Sequence, residues 1–464
     1  MNLSFHAAAR ERPASAALVE HGNVFTYEEL LPRVEAAIRS FRAAGVAPDR
    51  PAAIEVAPSA VSIVSLWALF EMGVPALLLH PGWTDAERRL VLEEAAPVRL
   101  IALPRDVDCD RAPDEPEIPP APLPDDERPA AILYTSGVSG RPKGVLLSRR
   151  AFAAAAAASA RVLGVKEEDR WGLCMPLAHV GGLSIVTRSL FARRAVAVAA
   201  PFRADTLIRA AARDRITILS LVPTMMTRLL DREPPWRPPK HLRAILLGGA
   251  PIFPSLLKRC ARIHAPVLPT WGMTETCAQA ATARPDGVPH AEAAAPPLPG
   301  VELRAPGGRV EVRGPTLFSG YFPAGAHADP FDDEGWFDTG DRGFLDDGGR
   351  LHVLGRREEV LISGGENVSA PEVEAALLEH PDVEEALVFG APDREWGERI
   401  AAAVVLREGA ILDDGALRDH VEARLAPHKR PRLLAVLPAL PRTAAGKTDR
   451  GEAARAALSR LRPL

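Results

Sequence analysis

The sequence is poor in cysteine and in aromatic residues. Its 464 residues contain four cysteines, and 5% of the residues are aromatic. Cys109, Cys174, Cys260 and Cys277 form no CxxC pair and no metal-ligand spacing, so nothing indicates a thiol redox motif or a cysteine zinc site. This usage fits a reducing compartment, and we expect a cytoplasmic protein.

The charge balance and the apolar runs argue against two classes of partner. The chain has 56 basic and 60 acidic side chains, a net charge of -4 and a pI near 6.3, so no basic field favours nucleic acid or an anionic membrane. It has no run of 18 apolar residues and no signal-peptide core in residues 1–10, so we expect no integral membrane segment. A small anionic substrate is compatible with these values. The oligomeric state stays open, a homo-oligomer included.

Apolar periodicity predicts alternating strands and helices, and hence a parallel sheet covered on both faces. The predicted strands are 51–56, 75–79, 98–102, 171–176, 195–199, 216–222 and 244–247. The predicted helices are 26–44, with a Thr26 cap and Glu29 three positions on, 60–72, 84–95, 151–163, 185–191, 204–214 and 224–231. From Gly308 onwards, short strands at 309–314, 317–322, 336–338, 342–345 and 351–354 predict an antiparallel, barrel-like subdomain. A small α+β unit follows.

The segment 132–144 is predicted to be a loop between two strands. It combines hydroxyl groups, glycines that let backbone N–H groups approach a ligand, and a mobile positive charge, a mixture that suits a polyphosphate. The residues concerned are Thr135, Ser136, Gly137, Ser139, Gly140, Lys143 and Gly144. A P-loop is excluded, because Pro142 stands where that motif needs glycine and Gly144 where it needs a hydroxyl. On this segment alone, a solvated turn is an equal alternative.

Two further segments follow predicted strands, beyond whose carboxyl ends ligands bind in open parallel sheets. One is a turn that contains His179, Gly181, Gly182 and Ser184 before an apolar helix. It is either a pocket wall or a helix N-terminus with a partly buried histidine. The other is a candidate nucleotide wall, which consists of Gly248, Gly249, Ala250 and Pro251.

A third segment, Trp271-Gly272-Met273-Thr274-Glu275-Thr276, offers a flat aromatic face, a glycine, a hydroxyl and a carboxylate. An adenine can stack on Trp271, Thr274 can bond a phosphate oxygen, and Glu275 can hold a divalent cation. A second interpretation, compatible with the first, is that Thr274 and Glu275 open a helix. Further on, Asp338-Thr339-Gly340-Asp341 presents carboxylates that either form a turn or accept hydrogen bonds from ribose hydroxyls.

Five separated segments together resemble the adenylate-forming superfamily, which includes acyl-CoA synthetases, firefly luciferase and the adenylation domains of peptide synthetases. They are 135–144, 271–276, 313–321, 339–341 with 355–356, and 441–447. The resemblance implies that ATP, Mg²⁺ and CoA are used. A carboxylic acid attacks the α-phosphate of ATP to give an acyl-adenylate and pyrophosphate, and a thiol, usually of CoA, then displaces AMP.

The resemblance also implies the domain organisation. We expect an α/β fold with a large N-terminal domain of doubly wound sheets and a barrel-like subdomain (1–354), a hinge (355–359) and a small mobile α+β C-terminal domain (360–464). Glu358 matches the hinge position. Rotation about it is expected to withdraw Lys447 and to bring Ser363, Gly364 and Gly365 to the thiol channel.

The resemblance assigns roles to charged residues. A carboxylate is a poor nucleophile towards an anionic nucleotide, so cations must neutralise charge. Lys143 is expected at the outer phosphates, Mg²⁺ at Glu275, and Lys447 between the substrate carboxylate and the α-phosphate. Asp341 is expected to hold the ribose and Arg356 to assist. By its sequence context alone, Lys447 is a solvated surface charge.

The segments 176–184 and 363–367 are similar to those of the o-succinylbenzoate-CoA ligases of menaquinone biosynthesis. The alternatives are a ligase for another aryl or medium-chain acid, a stand-alone adenylation module that loads a carrier protein, and a degenerate binding protein. Arg188, four residues after Ser184 on the same predicted helix, is expected to bind the second carboxylate of the acid in a bidentate manner. A surface arginine is the alternative.

Overall fold

The computed structural model describes residues 2–95, 99–101, 126–136, 142–285, 290, 292–323, 325, 328–357, 360–363, 366–393, 397–442 and 448–464. The chain divides into two compact units. Unit 1 comprises Met1–Leu303, Val312–Phe337 and Asp347–Leu351, and unit 2 comprises Arg304–Glu311, Asp338–Asp346 and His352–Leu464. Helices and strands are mixed in both units, as the predicted α/β class requires.

The helices are α1 (Phe5–Glu11), α2 (Tyr27–Ala43), α3 (Ala60–Met72), α4 (Asp85–Glu94), α5 (Arg149–Leu163), α6 (Val180–Ala192), α7 (Ala204–Arg213), α8 (Pro223–Leu230), α9 (Pro254–Arg262), α10 (Ala370–Leu378), α11 (Asp414–Glu422) and α12 (Arg450–Leu458). The strands are β1 (Ala16–Glu20), β2 (Asn23–Thr26), β3 (Ala52–Glu55), β4 (Ala76–Leu79), β5 (Arg99–Ile101), β6 (Pro129–Ser136), β7 (Pro142–Ser148), β8 (Arg170–Leu173), β9 (Ala195–Val198), β10 (Ile218–Leu221), β11 (Ala244–Leu247), β12 (Val267–Trp271), β13 (Ala281–Thr282), β14 (Ala294–Ala295), β15 (Glu302–Arg304), β16 (Arg309–Arg313), β17 (Tyr321–Phe322), β18 (Phe337–Leu345), β19 (Leu351–Arg356), β20 (Val360–Ser363), β21 (Glu366–Ser369), β22 (Val383–Asp393), β23 (Gly397–Leu406), β24 (Leu433–Val436) and β25 (Arg462–Pro463). In the described part of the chain, no helix has the length and apolar character needed to cross a bilayer.

Unit 1 contains two sheets whose inner strands run parallel. The first has the order β13-β12-β11-β10-β8-β9-β1-β2, and only its outer strands β13 and β2 pair antiparallel. The second has the order β17-β7-β6-β4-β3-β5, in which β3 to β6 are parallel while β7 and β17 are antiparallel. Strands such as β4 and β11 are apolar and buried throughout, as expected when helices cover both faces.

The predicted elements of unit 1 are confirmed, mostly with ends shifted by one to three residues, and the Thr26–Glu29 capping box begins α2. Three predictions of bounds are wrong. The predicted strand 317–322 is a strand only at Tyr321–Phe322, and it pairs with β7 in the second sheet instead of belonging to the barrel-like subdomain. Helix α6 begins at Val180, so the glycines of the predicted turn lie in its first turn. Strands β6 and β7 continue into the predicted loop through a register that pairs Thr135 with Lys143, so both residues belong to a hairpin.

Unit 2 contains a group of β strands followed by the α+β portion. Strand β18 lies between β16 and β19. The predicted strands 336–338 and 342–345 are one continuous strand. The Asp338 carboxylate makes the local contact of a turn former, because Oδ1 accepts from the Gly340 N–H at 2.9 Å, whereas Asp341 lies within the strand. In the following portion the strand order is β21-β20-β23-β24-β25, with β22 paired to β23. Apolar residues of α10, α11 and α12 pack against these strands.

A buried ionic cluster joins α1 to α2 and α3. Both ring nitrogens of His6 face carboxylates: Nε2 is 3.3 Å from Glu35 Oε1, and Nδ1 is 3.1 Å from Glu71 Oε2. The contact with Glu71 raises the pKa of His6 against the opposing effect of burial. Burial alone would raise the pKa of Glu71, but hydrogen bonds from His6 and Ser4 hold it below its ordinary value. The cluster is therefore stabilised by a charged histidine.

This arrangement predicts a pH-dependent role for His6 in stability. Because its pKa is raised on folding, its contribution is complete below the unfolded pKa near 6.5 and is lost as pH rises through the folded pKa. His6→Gln should lower the free energy of unfolding by about 2 kcal/mol at pH 6 and by much less at pH 9. Urea denaturation at both pH values measures this difference. The exposed His428→Gln is the control, and an equal loss at both pH values would contradict the ionic interpretation.

Candidate functional site

Two segments lie at the carboxyl edge of the first sheet of unit 1. Gly248 follows β11, and its N–H donates to the Leu221 carbonyl at 3.2 Å. A Cβ at Gly248 would lie 2.4 Å from the Thr270 carbonyl oxygen, so only glycine fits between these strands. Gly249, Ala250 and Pro251 are exposed. Three of the four residues of the predicted nucleotide wall therefore lie on the surface at this edge, whereas Gly248 is buried; the role of the wall stays a prediction.

Thr274 and Glu275 begin a helix after β12, as the second interpretation predicts, but it is a single 3₁₀ turn, Thr274–Thr276. Trp271 is the last residue of β12, and it is half-buried, as are Gly272 and Met273. The chain then folds back so closely that a Cβ at Gly272 would lie 2.0 Å from the Ala278 carbonyl oxygen. This close approach determines where the following carboxylate lies.

Contacts within unit 1 link Glu275 to Lys143. The Glu275 side chain is buried, and its Oε1 accepts a hydrogen bond from the Tyr321 hydroxyl at 3.2 Å. Lys143 Nζ lies 5.0 Å from the centroid of the same Tyr321 ring, within reach of a cation–π interaction. Strand β17, which carries Tyr321, pairs with β7 next to Lys143. Thr135 Oγ1 lies 3.5 Å from the Lys143 carbonyl oxygen. The structure thus brings together three predicted site residues.

His179 immediately precedes α6 and is half-buried, so the helix N-terminus interpretation is confirmed, and the pocket wall stays a prediction. A Cβ at Gly182 would lie 2.2 Å from the Pro176 carbonyl oxygen, which explains how α6 can begin so early. The His179 ring lies 5.3 Å from that of His80, which follows β4. Burial lowers the pKa of His80. A pair of imidazoles therefore connects the carboxyl edges of the two sheets.

Ser184 and Arg188 project from α6 into the interior of unit 1. Ser184 Oγ donates to the Gly181 carbonyl at 3.0 Å. The Arg188 side chain is 4% exposed, and its Nη2 donates to the Cys277 carbonyl at 3.3 Å. Burial lowers the pKa of Arg188 to about 9. The alternative of a surface arginine is therefore wrong, whereas contact with the substrate carboxylate stays a prediction.

In unit 2, Asp341 and Arg356 form an ion pair. Asp341 is buried in β18, and its Oδ1 lies 3.1 Å from Arg356 Nε. Arg356 Nη1 also donates to the Thr339 carbonyl at 2.8 Å, and Thr339 Oγ1 accepts from the Asp341 N–H at 3.1 Å. Gly340 has a φ of 75°, which lets this strand bend beside the guanidinium. The predicted ribose ligand and its assisting arginine therefore orient each other.

Several predicted residues lie outside the described ones, and their predictions stand as made. They are Gly137, Ser139, Gly140, Glu358, Gly364, Gly365 and Lys447. Ser136 is described only as the last residue of β6, whereas Ser363 is buried at the end of β20. Over the described residues, no group of three or more His, Cys, Asp or Glu side chains could hold a metal ion.

Sequence reasoning did not assign a role to three residues that the structure places here: Tyr321, His80 and Cys277. Tyr321 is one of only three tyrosines and lies in one of the segments that carry the resemblance. His80 directly follows a buried apolar strand, a position whose significance depends on strand direction. Cys277 contributes its backbone carbonyl, which no side-chain pattern can indicate.

Two family models match this chain, one over its N-terminal two thirds and one near its C-terminus. The family model described as AMP-binding enzyme matches residues 5–322, and the model described as AMP-binding enzyme C-terminal domain matches residues 372–447. These matches include the described residues Lys143, Glu275 and Tyr321.

Similar proteins extend over almost the whole chain. The 2-succinylbenzoate–CoA ligase of Bacillus licheniformis is 34% identical over 94% of this chain and 96% of its own length, and that of Bacillus subtilis is 33% identical over 96% of both. The solved o-succinylbenzoate CoA synthetase of Bacillus subtilis in complex with its acyl-adenylate intermediate superposes with a TM-score of 0.87, at 32% identity over 97% of this chain and 98% of that one. ATP-bound MatB of Rhodopseudomonas palustris gives a TM-score of 0.87 at 26% identity over 99% of both chains.

The close approach at Gly272 yields a test of the turn that carries Glu275. In Gly272→Ala the new methyl group would meet the Ala278 carbonyl, so the backbone must shift. We expect binding of ATP in the presence of Mg²⁺, measured by calorimetry, to weaken by roughly tenfold or more. Gly451→Ala is the control, because a Cβ in α12 would lie no closer than 3.6 Å to its neighbours. Unchanged binding in Gly272→Ala would show that this turn tolerates displacement.

Proposed function

The chain belongs to the AMP-binding enzyme family, and we propose on that basis that it is an ATP-dependent acid–CoA ligase whose acid is 2-succinylbenzoate. It uses ATP, Mg²⁺ and CoA. The acid carboxylate attacks the α-phosphate of ATP and pyrophosphate leaves. The CoA thiol then attacks the acyl carbonyl of the adenylate, a C–S bond forms, the C–O bond to AMP breaks, and AMP leaves.

One observation carries this assignment. Curated 2-succinylbenzoate–CoA ligases match along 94–96% of this chain, and a solved synthetase with its acyl-adenylate bound shares the fold over 97% of it. A likeness of such extent includes the nucleotide segments, the acid segment 176–184 and the C-terminal portion together. The activity therefore does not rest on a single motif.

The arrangement around Glu275 fits Mg²⁺ that arrives with ATP. Mg²⁺ is usually held by one or two carboxylates, substrate phosphates and water rather than by an all-protein cage. Glu275 is a single carboxylate whose Oε1 is oriented by the Tyr321 hydroxyl, which suits this role. Bound there, Mg²⁺ would offset negative charge on the phosphates. Lys143 would face the outer phosphates, and Thr274 would bond one of their oxygens.

The remaining roles follow the sequence predictions. Trp271 would stack on the adenine, with Gly248 to Pro251 beside the nucleotide. Asp341, held by Arg356 at 3.1 Å, would accept hydrogen bonds from the ribose hydroxyls. We also propose domain 1–354, a hinge at 355–359 centred on Glu358, and a mobile domain 360–464 in which Ser363 to Gly365 line the thiol channel.

We propose a cytoplasmic location for this activity. Cys174, Cys260 and Cys277 are buried and free, which fits a reducing compartment. The proposal can be checked by fractionating the source cells and following CoA-dependent AMP release.

The substrate is tested with a panel of acids. The protein is incubated with ATP, Mg²⁺ and 2-succinylbenzoate, benzoate or octanoate, with and without CoA, and AMP and acyl-CoA are separated by chromatography. We expect 2-succinylbenzoate to be preferred by roughly tenfold or more in kcat/KM, because a second carboxylate offers an additional charge-assisted hydrogen bond. Preference for benzoate or octanoate would overturn the acid. An adenylate that only a carrier protein can discharge would overturn CoA as the acceptor.

Lys447 is predicted to act in the first half-reaction only. A cation between the substrate carboxylate and the α-phosphate stabilises the charge of that transition state, and losing it should cost on the order of 3 kcal/mol, or about a hundredfold in rate. Lys447→Ala should therefore lose acid-dependent pyrophosphate release, yet convert supplied acyl-adenylate to thioester. The exposed Lys258→Ala is the control. Equal losses in both half-reactions would refute the assignment.

A further inference from the structure

We propose that Arg188 is a positioning residue that holds the Glu275 turn in place through the Cys277 carbonyl, and so tunes binding of Mg²⁺-ATP. This proposal rests on the proposed function for the meaning of Glu275. It differs from the sequence prediction, in which Arg188 contacts the second carboxylate of the acid. A role in binding the acid requires space for a carboxylate beside the guanidinium, whereas a positioning role requires close packing against the turn.

The Arg188 guanidinium is a buried charge, and no carboxylate of the described residues forms an ion pair with it. Nη2 donates to the Cys277 carbonyl at 3.3 Å, and Cζ lies 5.5 Å from the centroid of the Trp171 ring. Nε has no hydrogen-bond partner among the described residues. Burying a charge is costly unless other groups compensate it. The Cys277 carbonyl dipole and the Trp171 indole face are the compensating groups, so breaking the Arg188–Cys277 contact would be energetically costly.

The Cys277 carbonyl belongs to the fold-back that carries Glu275. The Cys277 N–H donates to the Thr274 carbonyl at 3.2 Å, and the Ala278 N–H donates to the Met273 carbonyl at 3.0 Å. Cys277 and Ala278 have φ values of 52° and 81°, a left-handed conformation that residues other than glycine rarely adopt. Such residues persist only where their surroundings hold them. The hydrogen bond from Arg188 to the Cys277 carbonyl is one such constraint, and it acts two residues after Glu275.

Helix α5 provides a second hold on the same segment. Ser159 Oγ donates to Gln279 Oε1 at 2.9 Å, and Gln279 Nε2 donates to Thr282 Oγ1 at 2.7 Å. Helix α6 is therefore hydrogen-bonded to Cys277, and helix α5 is hydrogen-bonded to Gln279. Arg188 bonds to the backbone of Cys277, two residues after Glu275, whereas Ser159 bonds to the side chain of Gln279, four residues after Glu275. Loss of Arg188 should consequently disturb the carboxylate more.

The cavity that Arg188 lines together with Ser159 and Trp171 is too small for a substrate carboxylate. A cavity of about 10 Å³ is lined by Ser159, Trp171 and Arg188 among other residues, which is room for a single water molecule. A water there could serve the Nε donor. An aryl carboxylate does not fit into this cavity. The geometry therefore favours contact with the turn over contact with the acid.

The experiment compares Arg188→Met, Arg188→Lys and the control Arg193→Met. Arg193 is a second buried arginine, just after α6, but it is bonded to Asn2, Leu190 and Glu11. Calorimetry on the full chain measures the dissociation constant of the α,β-methylene analogue of ATP, with Mg²⁺ and with EDTA. Because this binding assay needs no acid, it is informative even if the wild type does not turn over 2-succinylbenzoate, a result that would sink the proposed function alone.

We expect Arg188→Met to weaken binding of the analogue with Mg²⁺ by roughly tenfold, the effect of losing a charge-assisted hydrogen bond, and to change binding in EDTA little. Arg188→Lys should recover most of the affinity, since one ammonium donor can still serve a carbonyl. Arg193→Met should lower the urea midpoint without changing either constant. In the Glu275→Gln background, Arg188→Met should have little further effect on binding with Mg²⁺, as a double-mutant cycle requires of coupled residues.

Steady-state kinetics separates the two roles of Arg188. A positioning residue should lower kcat and raise the Mg²⁺ requirement for 2-succinylbenzoate and benzoate alike, with the KM of either acid nearly unchanged. If Arg188→Met instead raises KM only for 2-succinylbenzoate and leaves analogue binding intact, the positioning role is wrong and the substrate role holds. If Arg188→Met only lowers stability, as expected for Arg193→Met, the positioning role is also wrong.

Discussion

The parallel direction of the inner strands in unit 1 is the constraint on which the candidate site depends. Because β8, β10, β11 and β12 run the same way, the segments that follow them emerge at one edge, although they are far apart in sequence. The second sheet obeys the same rule, and it places His80 within 5.3 Å of His179 by ring centroids. Chemistry can then be assembled from short loops while the strands supply rigidity.

Within that frame, close backbone approaches decide where the reactive groups lie. Gly182, Gly248 and Gly272 each occupy a place where a Cβ would come within 2.4 Å of a carbonyl oxygen. None of these glycines carries chemistry itself. Each lets the chain turn sharply enough that a neighbouring segment, such as the one with Glu275, comes to the edge of the sheet. The positions of the charged groups in the site therefore depend on the packing of the backbone.

Local patterns predicted much of this architecture, since helix caps and buried strands are written in neighbouring residues. Helix α3 and strand β11 have the predicted bounds, and the Thr26 capping box is present. The misses are contacts between distant residues. Tyr321 reaches Glu275 over 46 positions, and Arg188 reaches Cys277 over 89. Arg188 was expected either at the acid or on the surface, because helical spacing gives the face of a side chain but not what packs against it.

The His6 cluster has a consequence for the order in which the chain becomes structured during synthesis. The His6 N–H is bonded to Glu71, 65 positions later, and the Arg149 guanidinium is bonded to the Phe70 carbonyl, 79 positions before it. At roughly 5–20 residues per second, about 3 to 13 s pass between the synthesis of His6 and that of Glu71, whereas Glu35, the other ionic partner of His6, follows after only 29 positions. The apolar face of α1, which includes Phe5 and Ala8, lacks its contact with Trp67 of α3 for almost the whole of that interval and is available to chaperones there.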